Sequence, residues 1–238
     1  MPLSKYNLLC TSPLEQLVLD KAAEKGMGID MIPLIKTEPI LSQEVINQVQ
    51  ACQSQKATVI FTSINAVNAV THQLTEKPDW TIFSIGGITK EAVFKFFGEK
   101  SVAATAKNAA ALAEKILAYP AIQELIFFCG DQRLNGLPEK LIANNLPVKE
   151  IIVYSTIEIH QQIEKNYPGI AFFSPSAVNS FFSVNTIDTK TVLFSIGKTT
   201  TSTIKSYCNN QVETSEWPGK QQLIEKAIEY FEKINLQS

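Results

Sequence analysis

The sequence predicts an α/β fold of two similar parallel-sheet α/β domains, joined by a two-stranded β-linker with a cleft between them. Two observations lead to this prediction. Short apolar runs alternate with segments of helical period, which is typical of βα units in parallel sheets. The same series of motifs also occurs twice in the 238 residues, of which 45% are hydrophobic and can fill two cores.

The individual elements are predicted from apolar runs and from the turn residues that bound them. Gly98 and Asn108 are typical stop and start signals for the helices beside them. Strands are predicted at residues 6–10, 30–35, 58–62, 81–85, 125–129, 150–154, 170–174 and 191–196. Helices are predicted at residues 14–25, 42–53, 65–74, 89–97, 108–118, 137–144, 176–184, 199–208 and 219–234.

Internal repetition is the most informative feature of the chain. Motifs within residues 61–89 resemble motifs within residues 172–200, and motifs within residues 8–37 resemble motifs within residues 127–156. The chain therefore has the order A-B-A′-B′, with A near 5–37, B near 57–119, A′ near 124–156 and B′ near 168–236.

This order bears on the division into domains, because each domain needs one A and one B segment. We favour pairing B with A′ and A with B′. The reason is that the chain leaves A and A′ through β-rich stretches, and these lie at equivalent points of the two segments. The domains are then 1–35 with 158–238, and 39–152, with linker strands at 35–39 and 153–158. Sequential A-B and A′-B′ domains are the alternative.

Composition excludes several classes of protein. Only 18% of the residues are charged and the formal charge is −2, which argues against disorder and against nucleic-acid binding. No signal peptide and no apolar run long enough for a membrane span is indicated, so we expect a cytoplasmic protein. The four cysteines are scattered without a CxxC motif, which predicts reduced thiols and no zinc site: Cys10, Cys52, Cys129 and Cys208.

Four turns that follow predicted strands are candidate binding sites. Backbone N–H groups at a helix start favour a carboxylate or phosphate, and ligands of open α/β sheets bind at the carboxyl ends of the strands. Simple N-capping is the alternative. GxGxxG and the Walker loop are absent, so a nucleotide is not expected. The candidate binding residues in these turns are Thr62, Ser63, Asn65, Gly86, Gly87, Thr89, Ser174, Ser176, Ala177, Thr199 and Thr200.

Gly130, Arg133 and Tyr154 complete the set of candidates. Arg133 is the only arginine of the chain, and its guanidinium suits a carboxylate ligand, although a structural pair with Asp131 is an alternative. Tyr154 lies at a predicted domain crossing, where its phenol either packs or donates a hydrogen bond or proton.

Other catalytic or metal-binding arrangements have little support. His72 and His160 lack partners at metal-ligand spacing, and surface or capping roles are expected for them. Cys129 ends an apolar strand and is expected to be buried and inert. No hydrolase motif is present.

Six motifs occur in order along nearly the whole chain. They are Phe61-Thr62-Ser63-x-Asn65-Ala66-Val67, Ile85-Gly86-x-x-Thr89, Gly130-Asp131-x-Arg133 with Leu137-Pro138, Val153-Tyr154-x-Thr156, Phe173-Ser174-Pro175-Ser176-Ala177-Val178 and Ile196-Gly197-x-Thr199-Thr200. Together they resemble the uroporphyrinogen-III synthase family. Lys198 is a mild departure from the family pattern, because small residues or proline are common at that position.

The resemblance implies a cyclising lyase acting on hydroxymethylbilane, a linear tetrapyrrole with eight carboxylates. Water is lost and the ring closes with the terminal pyrrole inverted, without a metal or an organic cofactor. We expect a monomer in which the turns bind carboxylates and Tyr154 assists departure of the hydroxyl group. A non-catalytic two-lobed module that binds an acidic small molecule is the alternative, since fold alone does not fix function.

Overall fold

The computed structural model describes residues 6–120, 122, 124–217 and 219–235. The strands are β1 (Tyr6–Cys10), β2 (Met27–Met31), β3 (Ile35–Pro39), β4 (Ala57–Phe61), β5 (Trp80–Ile85), β6 (Val102–Ala106), β7 (Leu125–Gly130), β8 (Val148–Glu158), β9 (Gly169–Phe172), β10 (Val192–Ser195) and β11 (Val212–Thr214). The α-helices are α1 (Gln16–Glu24), α2 (Gln43–Gln53), α3 (Ile64–Thr71), α4 (Ile88–Phe97), α5 (Ala109–Leu117), α6 (Gly136–Ala143), α7 (Pro175–Phe182), α8 (Lys198–Tyr207) and α9 (Lys220–Asn235), with a 3₁₀ turn at Glu99–Ser101.

The chain forms two compact units. Unit 1 runs to Lys36 and resumes at Ile157, whereas unit 2 is the continuous segment Thr37–Thr156. The chain leaves unit 1 within β3 and returns to it within β8.

Unit 1 contains a five-stranded sheet in the order β11-β10-β9-β1-β2, and its neighbouring strands are parallel. Strand β2 lies on one side of β1, and the later strands β9, β10 and β11 follow one another on the other side. The order therefore reverses between β1 and β9, which makes their carboxyl ends a topological switch point.

Unit 2 repeats this arrangement in a six-stranded sheet, ordered β3-β8-β7-β4-β5-β6. Its five strands from β8 to β6 are parallel, and the switch point lies between β7 and β4. The extra edge strand β3 lies beside β8. Ile159 N–H donates to Leu34 C=O and Ile40 N–H donates to Val153 C=O, so β3 and β8 run in opposite directions.

Apolar side chains cover both faces of the unit 2 sheet, because neighbouring residues of a strand point to opposite faces. Phe128 packs with Phe61 and Trp80 on one face, whereas Phe127 belongs to the cluster with Phe83 on the other. Each buried aromatic side chain contributes roughly 1.5–3 kcal/mol. Unit 1 also has two clusters, centred on Phe194 and Phe172.

The α/β fold class predicted from the sequence is confirmed. The Asn108 cap is also confirmed, since its side chain accepts from Ala111 N–H, and Gly98 ends α4 with φ +86°. The predicted strand at 30–35 is wrong in extent, because β2 ends at Met31, β3 begins at Ile35, and residues 32–34 belong to neither strand. Strands β6 and β11 were not predicted.

Candidate functional site

The candidate site of unit 2 lies at the carboxyl ends of β4 and β7. Thr62 and Ser63 follow β4 directly and lead into α3, whereas Gly130 ends β7 and Asp131 follows it. Tyr154 lies opposite Gly130, in the adjacent strand β8. These residues therefore meet at the switch point of the sheet, where α/β proteins bind ligands.

Ser63 has two roles in this arrangement. It is the N-cap of α3, with extended backbone angles, and its Oγ accepts a hydrogen bond of 3.1 Å from Asn65 N–H. The same Oγ accepts from the phenol of Tyr154 at 3.2 Å, although the two residues are 91 positions apart in the chain. The cap thus fixes the serine hydroxyl that holds the phenol.

The phenol of Tyr154 is a hydrogen-bond donor at neutral pH. Burial raises its pKa above the usual value near 10, and the hydrogen bond with Ser63 partly opposes this rise. The side chain therefore stays protonated and can donate a hydrogen bond, or act as a weak acid, but it cannot serve as a base.

A pocket of about 190 Å³ opens beside the phenol. Its size is below the roughly 300–1,000 Å³ of a typical drug-sized ligand site, so it takes only part of a large ligand. It is lined by Thr37, Glu38, Pro39, Asn65, Asn68, Ala69, His72 and Tyr154.

Most of these lining residues were missed in the sequence. Thr37, Glu38 and Pro39 belong to the edge strand β3, a segment that was predicted as a linker strand and not as part of a site. Asn68 and His72 lie one and two turns beyond the motif at the start of α3. Their helical spacing from Asn65 is the signal that could have identified them.

Arg133 differs from its predicted environment. Its guanidinium pairs with Glu150 and also donates to Asn135, instead of pairing with Asp131. Asp131 accepts from Thr156 N–H at 2.9 Å. Two side chains therefore already hold the guanidinium that was expected to bind a carboxylate.

The second predicted turn of unit 2 contains Gly86, Gly87 and Thr89. Gly86 N–H donates to Ala106 C=O at 2.8 Å, and Thr89 is only 3% exposed. Gly87 is exposed and has φ +66°, a conformation that favours glycine. Of these three residues, Gly87 offers its backbone most readily to a ligand.

Unit 1 has its own turn at the carboxyl end of β9. Ser174 caps α7, and its Oγ accepts from Ala177 N–H at 3.1 Å, so the predicted capping alternative describes this serine. Ser176 lies in the first turn of the same helix. Ser174 and Ser176 thus occupy the positions in unit 1 that Ser63 and Asn65 occupy in unit 2.

The turn after β10 contains Thr199 and Thr200 at the start of α8. Thr199 is exposed, whereas Thr200 is 2% exposed and packs inward. A side-chain contact from Thr200 to a ligand would therefore require movement of the helix, whereas Thr199 is accessible.

The histidine and cysteine residues considered in the sequence analysis were the weaker candidates. His160 Nδ1 lies 2.7 Å from Ser183 Oγ, and burial raises the pKa of Cys129 to about 11. All four cysteines are free thiols.

Over the residues that the structure covers, there is no group of three or more His, Cys, Asp or Glu side chains placed to hold a metal ion. Among those same residues, no helix has both the length and the apolar character needed to cross a bilayer.

The fold and the site define a two-unit α/β protein that presents a hydroxyl pair and helix-start turns at the carboxyl ends of its strands. A family model for uroporphyrinogen-III synthase HemD matches residues 18–225. The chain therefore belongs to the uroporphyrinogen-III synthase family, cyclising lyases of tetrapyrrole biosynthesis.

Solved structures of similar proteins agree with the fold. Uroporphyrinogen-III synthetase from Helicobacter pylori is 12% identical, with a TM-score of 0.69 over 94% of this chain and 99% of that one. A mutant uroporphyrinogen III synthase from Thermus thermophilus is 12% identical, with a TM-score of 0.62 over 98% of this chain and 100% of that one. No curated protein sequence matches significantly.

Proposed function

We propose that this protein converts hydroxymethylbilane into uroporphyrinogen III and water. The family match over residues 18–225 carries the proposal. The phenol of Tyr154, held by Ser63 at a sheet switch point, supports it by supplying a protonated donor beside a pocket.

The reaction needs few catalytic groups. Departure of the substrate hydroxyl as water leaves an electrophilic azafulvene, and the terminal ring attacks it through its already substituted carbon. The resulting spiro intermediate fragments and recloses with that ring inverted. The protein contributes chiefly by folding the chain so that the correct carbon attacks, which is catalysis by proximity and orientation.

We assign Tyr154 the one group-specific step. Its phenol would turn its one O–H group from Ser63 Oγ to the leaving hydroxyl and donate a hydrogen bond or proton there, and its raised pKa keeps it protonated for that purpose. A weak acid of this kind accelerates the step by roughly 10- to 100-fold, at the low end of general-acid effects.

The substrate carboxylates would be bound by the predicted turns. Support comes from helix starts that expose N–H groups at the carboxyl ends of the strands. In unit 2 the proposed binding residues with accessible groups are Ser63, Asn65 and Gly87, and in unit 1 they are Ser176 and Thr199. The remaining proposed residues are Thr62, Gly86, Thr89, Gly130, Arg133, Ser174, Ala177 and Thr200.

The proposal includes the state and location of the protein. A monomer is expected. A cytoplasmic location is supported by the free cysteines, which are typical of a reducing compartment.

The domains are proposed as residues 1–35 with 158–238, and 39–152. Supporting this, each unit contains its own pair of apolar clusters, and the chain passes between the units only within β3 and β8.

Product isomers provide the test of the reaction. Freshly prepared hydroxymethylbilane closes spontaneously to isomer I, so incubation with the protein should yield mainly isomer III, separated by chromatography after oxidation. Heat-denatured protein is the control. Accumulation of isomer I at the uncatalysed rate, despite binding of the substrate, would instead establish a binding module.

A further inference from the structure

We propose that Gly130 and Asp131 are positioning residues that hold the Tyr154 phenol against Ser63. The inference rests on the proposed function, because it gives a purpose to the position of that phenol. Neither residue needs to touch the substrate, so the inference assigns Gly130 a different role from the binding role predicted for it.

The first observation is an irregularity in the pairing of β7 with β8. Cys129 pairs with Ile152, but the next residue, Gly130, pairs with Tyr154, so Val153 is an extra residue in β8. A bulge of this kind changes the direction in which the following side chain points. In a regular strand, Val153 would occupy the position opposite Gly130.

The second observation is the close approach of the tyrosine ring to Gly130. A Cβ added to Gly130 would lie 2.4 Å from Cζ, 2.5 Å from Cε2 and 2.7 Å from the phenol oxygen of Tyr154. Cβ atoms essentially never lie this close to another heavy atom. Gly130 therefore leaves the space in which the phenol lies, and a side chain at this position would displace the ring from Ser63.

The third observation is that Asp131 binds the backbone directly after the tyrosine side chain, on both sides of Ser155. Asp131 N–H donates to Tyr154 C=O at 3.2 Å, and its Oδ1 accepts from Thr156 N–H at 2.9 Å. These bonds tie the segment after the bulge to the end of β7. Because the carboxylate is exposed, its replacement should leave the core intact.

The three observations together explain the orientation of the Tyr154 side chain. The bulge aims the tyrosine at the switch point, Asp131 fixes its backbone, and Gly130 leaves room for its ring. A hydrogen bond of 3.2 Å between two hydroxyl groups is weak on its own, so the backbone and the steric fit must supply most of the orientation.

Turnover of three variants tests the inference. Gly130→Ala should lower kcat at least about tenfold, as should Tyr154→Phe, since both remove the donor from the leaving hydroxyl. The double variant should be no slower than Tyr154→Phe alone, because residues that act through one group are not additive.

Asp131 provides a matched pair of variants outside the core. Asp131→Ala removes the acceptor for Thr156 N–H and should lower kcat several-fold. Asp131→Asn keeps an acceptor oxygen at the same place and should restore most of the turnover. Equal losses in the two variants would show that the charge is what matters and would overturn the positioning role.

The position of the phenol can also be measured without activity. In protein labelled with 3-fluorotyrosine, the ¹⁹F resonance missing from Tyr154→Phe identifies Tyr154. This resonance should shift towards that of exposed fluorotyrosine in Gly130→Ala and Asp131→Ala, but hardly in Asp131→Asn.

The outcomes separate the inference from the proposed function. If Tyr154→Phe turns over normally while the resonance shifts as expected, the role of Tyr154 in catalysis is wrong and the positioning stands. If Tyr154→Phe is slow but Gly130→Ala and Asp131→Ala keep both normal turnover and an unshifted resonance, the inference is overturned. If Gly130→Ala does not fold, the Asp131 pair decides.

Discussion

The proposed role of the Tyr154 phenol can be tested with a single substitution. The Tyr154→Phe variant keeps the ring and its packing, so the free energy of unfolding should change by no more than about 1 kcal/mol. Turnover should fall at least about tenfold, equivalent to 1.4 kcal/mol in the barrier, as measured by stopped assays at saturating substrate.

The product of Tyr154→Phe is equally informative. Isomer III should still dominate, because ring inversion depends on how the protein folds the substrate and not on the acid. Turnover equal to that of the unmodified protein, in a well-folded variant, would leave a site that works by binding geometry alone.

Asp30 provides a residue-scale prediction in unit 1. Its carboxylate accepts from Lys165 at 2.6 Å and from the Tyr167 phenol at 2.7 Å, and these bonds lower the pKa of Asp30 below 3.8. Tyr167→Phe should destabilise the protein by about 1 kcal/mol at pH 7. It should also raise the pKa of Asp30, measured by carboxyl NMR titration.

The pH dependence of this effect follows from the direction of the pKa shift. A lowered pKa in the folded state stabilises the protein above pH 3.8, and this stabilisation is lost as the pH falls through the folded value. The difference between Tyr167→Phe and the unmodified protein should therefore shrink in urea unfolding at about pH 3. A constant difference would show that Tyr167 stabilises by packing and not through Asp30.

At the scale of elements, Ser63 and Asn108 form a matched pair of helix caps in unit 2. Replacing either by alanine removes one acceptor at a helix start and should cost about 1 kcal/mol in urea unfolding. Only Ser63→Ala also releases the Tyr154 phenol. We therefore expect slower turnover for Ser63→Ala and unchanged turnover for Asn108→Ala.

If Ser63→Ala and Asn108→Ala slowed turnover equally, the loss would be due to general destabilisation. The contact between Ser63 and Tyr154 would then have no part in the reaction.

The helices were predicted to within three residues at each end, because caps and amphipathic spacing are local signals. The edge strands β6 and β11 lack such signals. Strand β6 has the sequence VAATA, in which alanine, a poor strand former, predominates, and β11 has only three residues. The apolar run within 30–35 continues across Pro33, which hides the break between β2 and β3.

The candidate site was only partly predictable for a similar reason. Turn motifs identified Ser63, and a position at a predicted domain crossing singled out Tyr154, but their hydrogen bond joins positions 91 residues apart. The bulge opposite Gly130 depends on the register of β7 with β8, which a single sequence does not encode locally. The pairing of Arg133 with Glu150 joins the loop after β7 to strand β8 and was also missed.

At the scale of the whole molecule, unit 2 should fold alone. Every residue of its two apolar clusters lies within Thr37–Thr156, and its sheet is complete with β3 and β8. A fragment of residues 35–158 is expected to unfold cooperatively in urea and to give a dispersed NMR spectrum. An aggregated or non-cooperative fragment would show that the unit depends on the rest of the chain.

The insertion of unit 2 within unit 1 has a consequence for synthesis on the ribosome. Strand β1 emerges first, yet its partner β9 comes much later, and Thr11 Oγ1 donates to Ala171 C=O across 160 positions. Unit 2 can fold in the meantime, and the bond between Ile40 and Val153 then joins its two ends. The loop that remains is equivalent to roughly 50 residues, which lowers the entropy cost of closure by roughly 1 kcal/mol. Early completion of the inserted unit therefore shortens the search by which the waiting strand finds its partner.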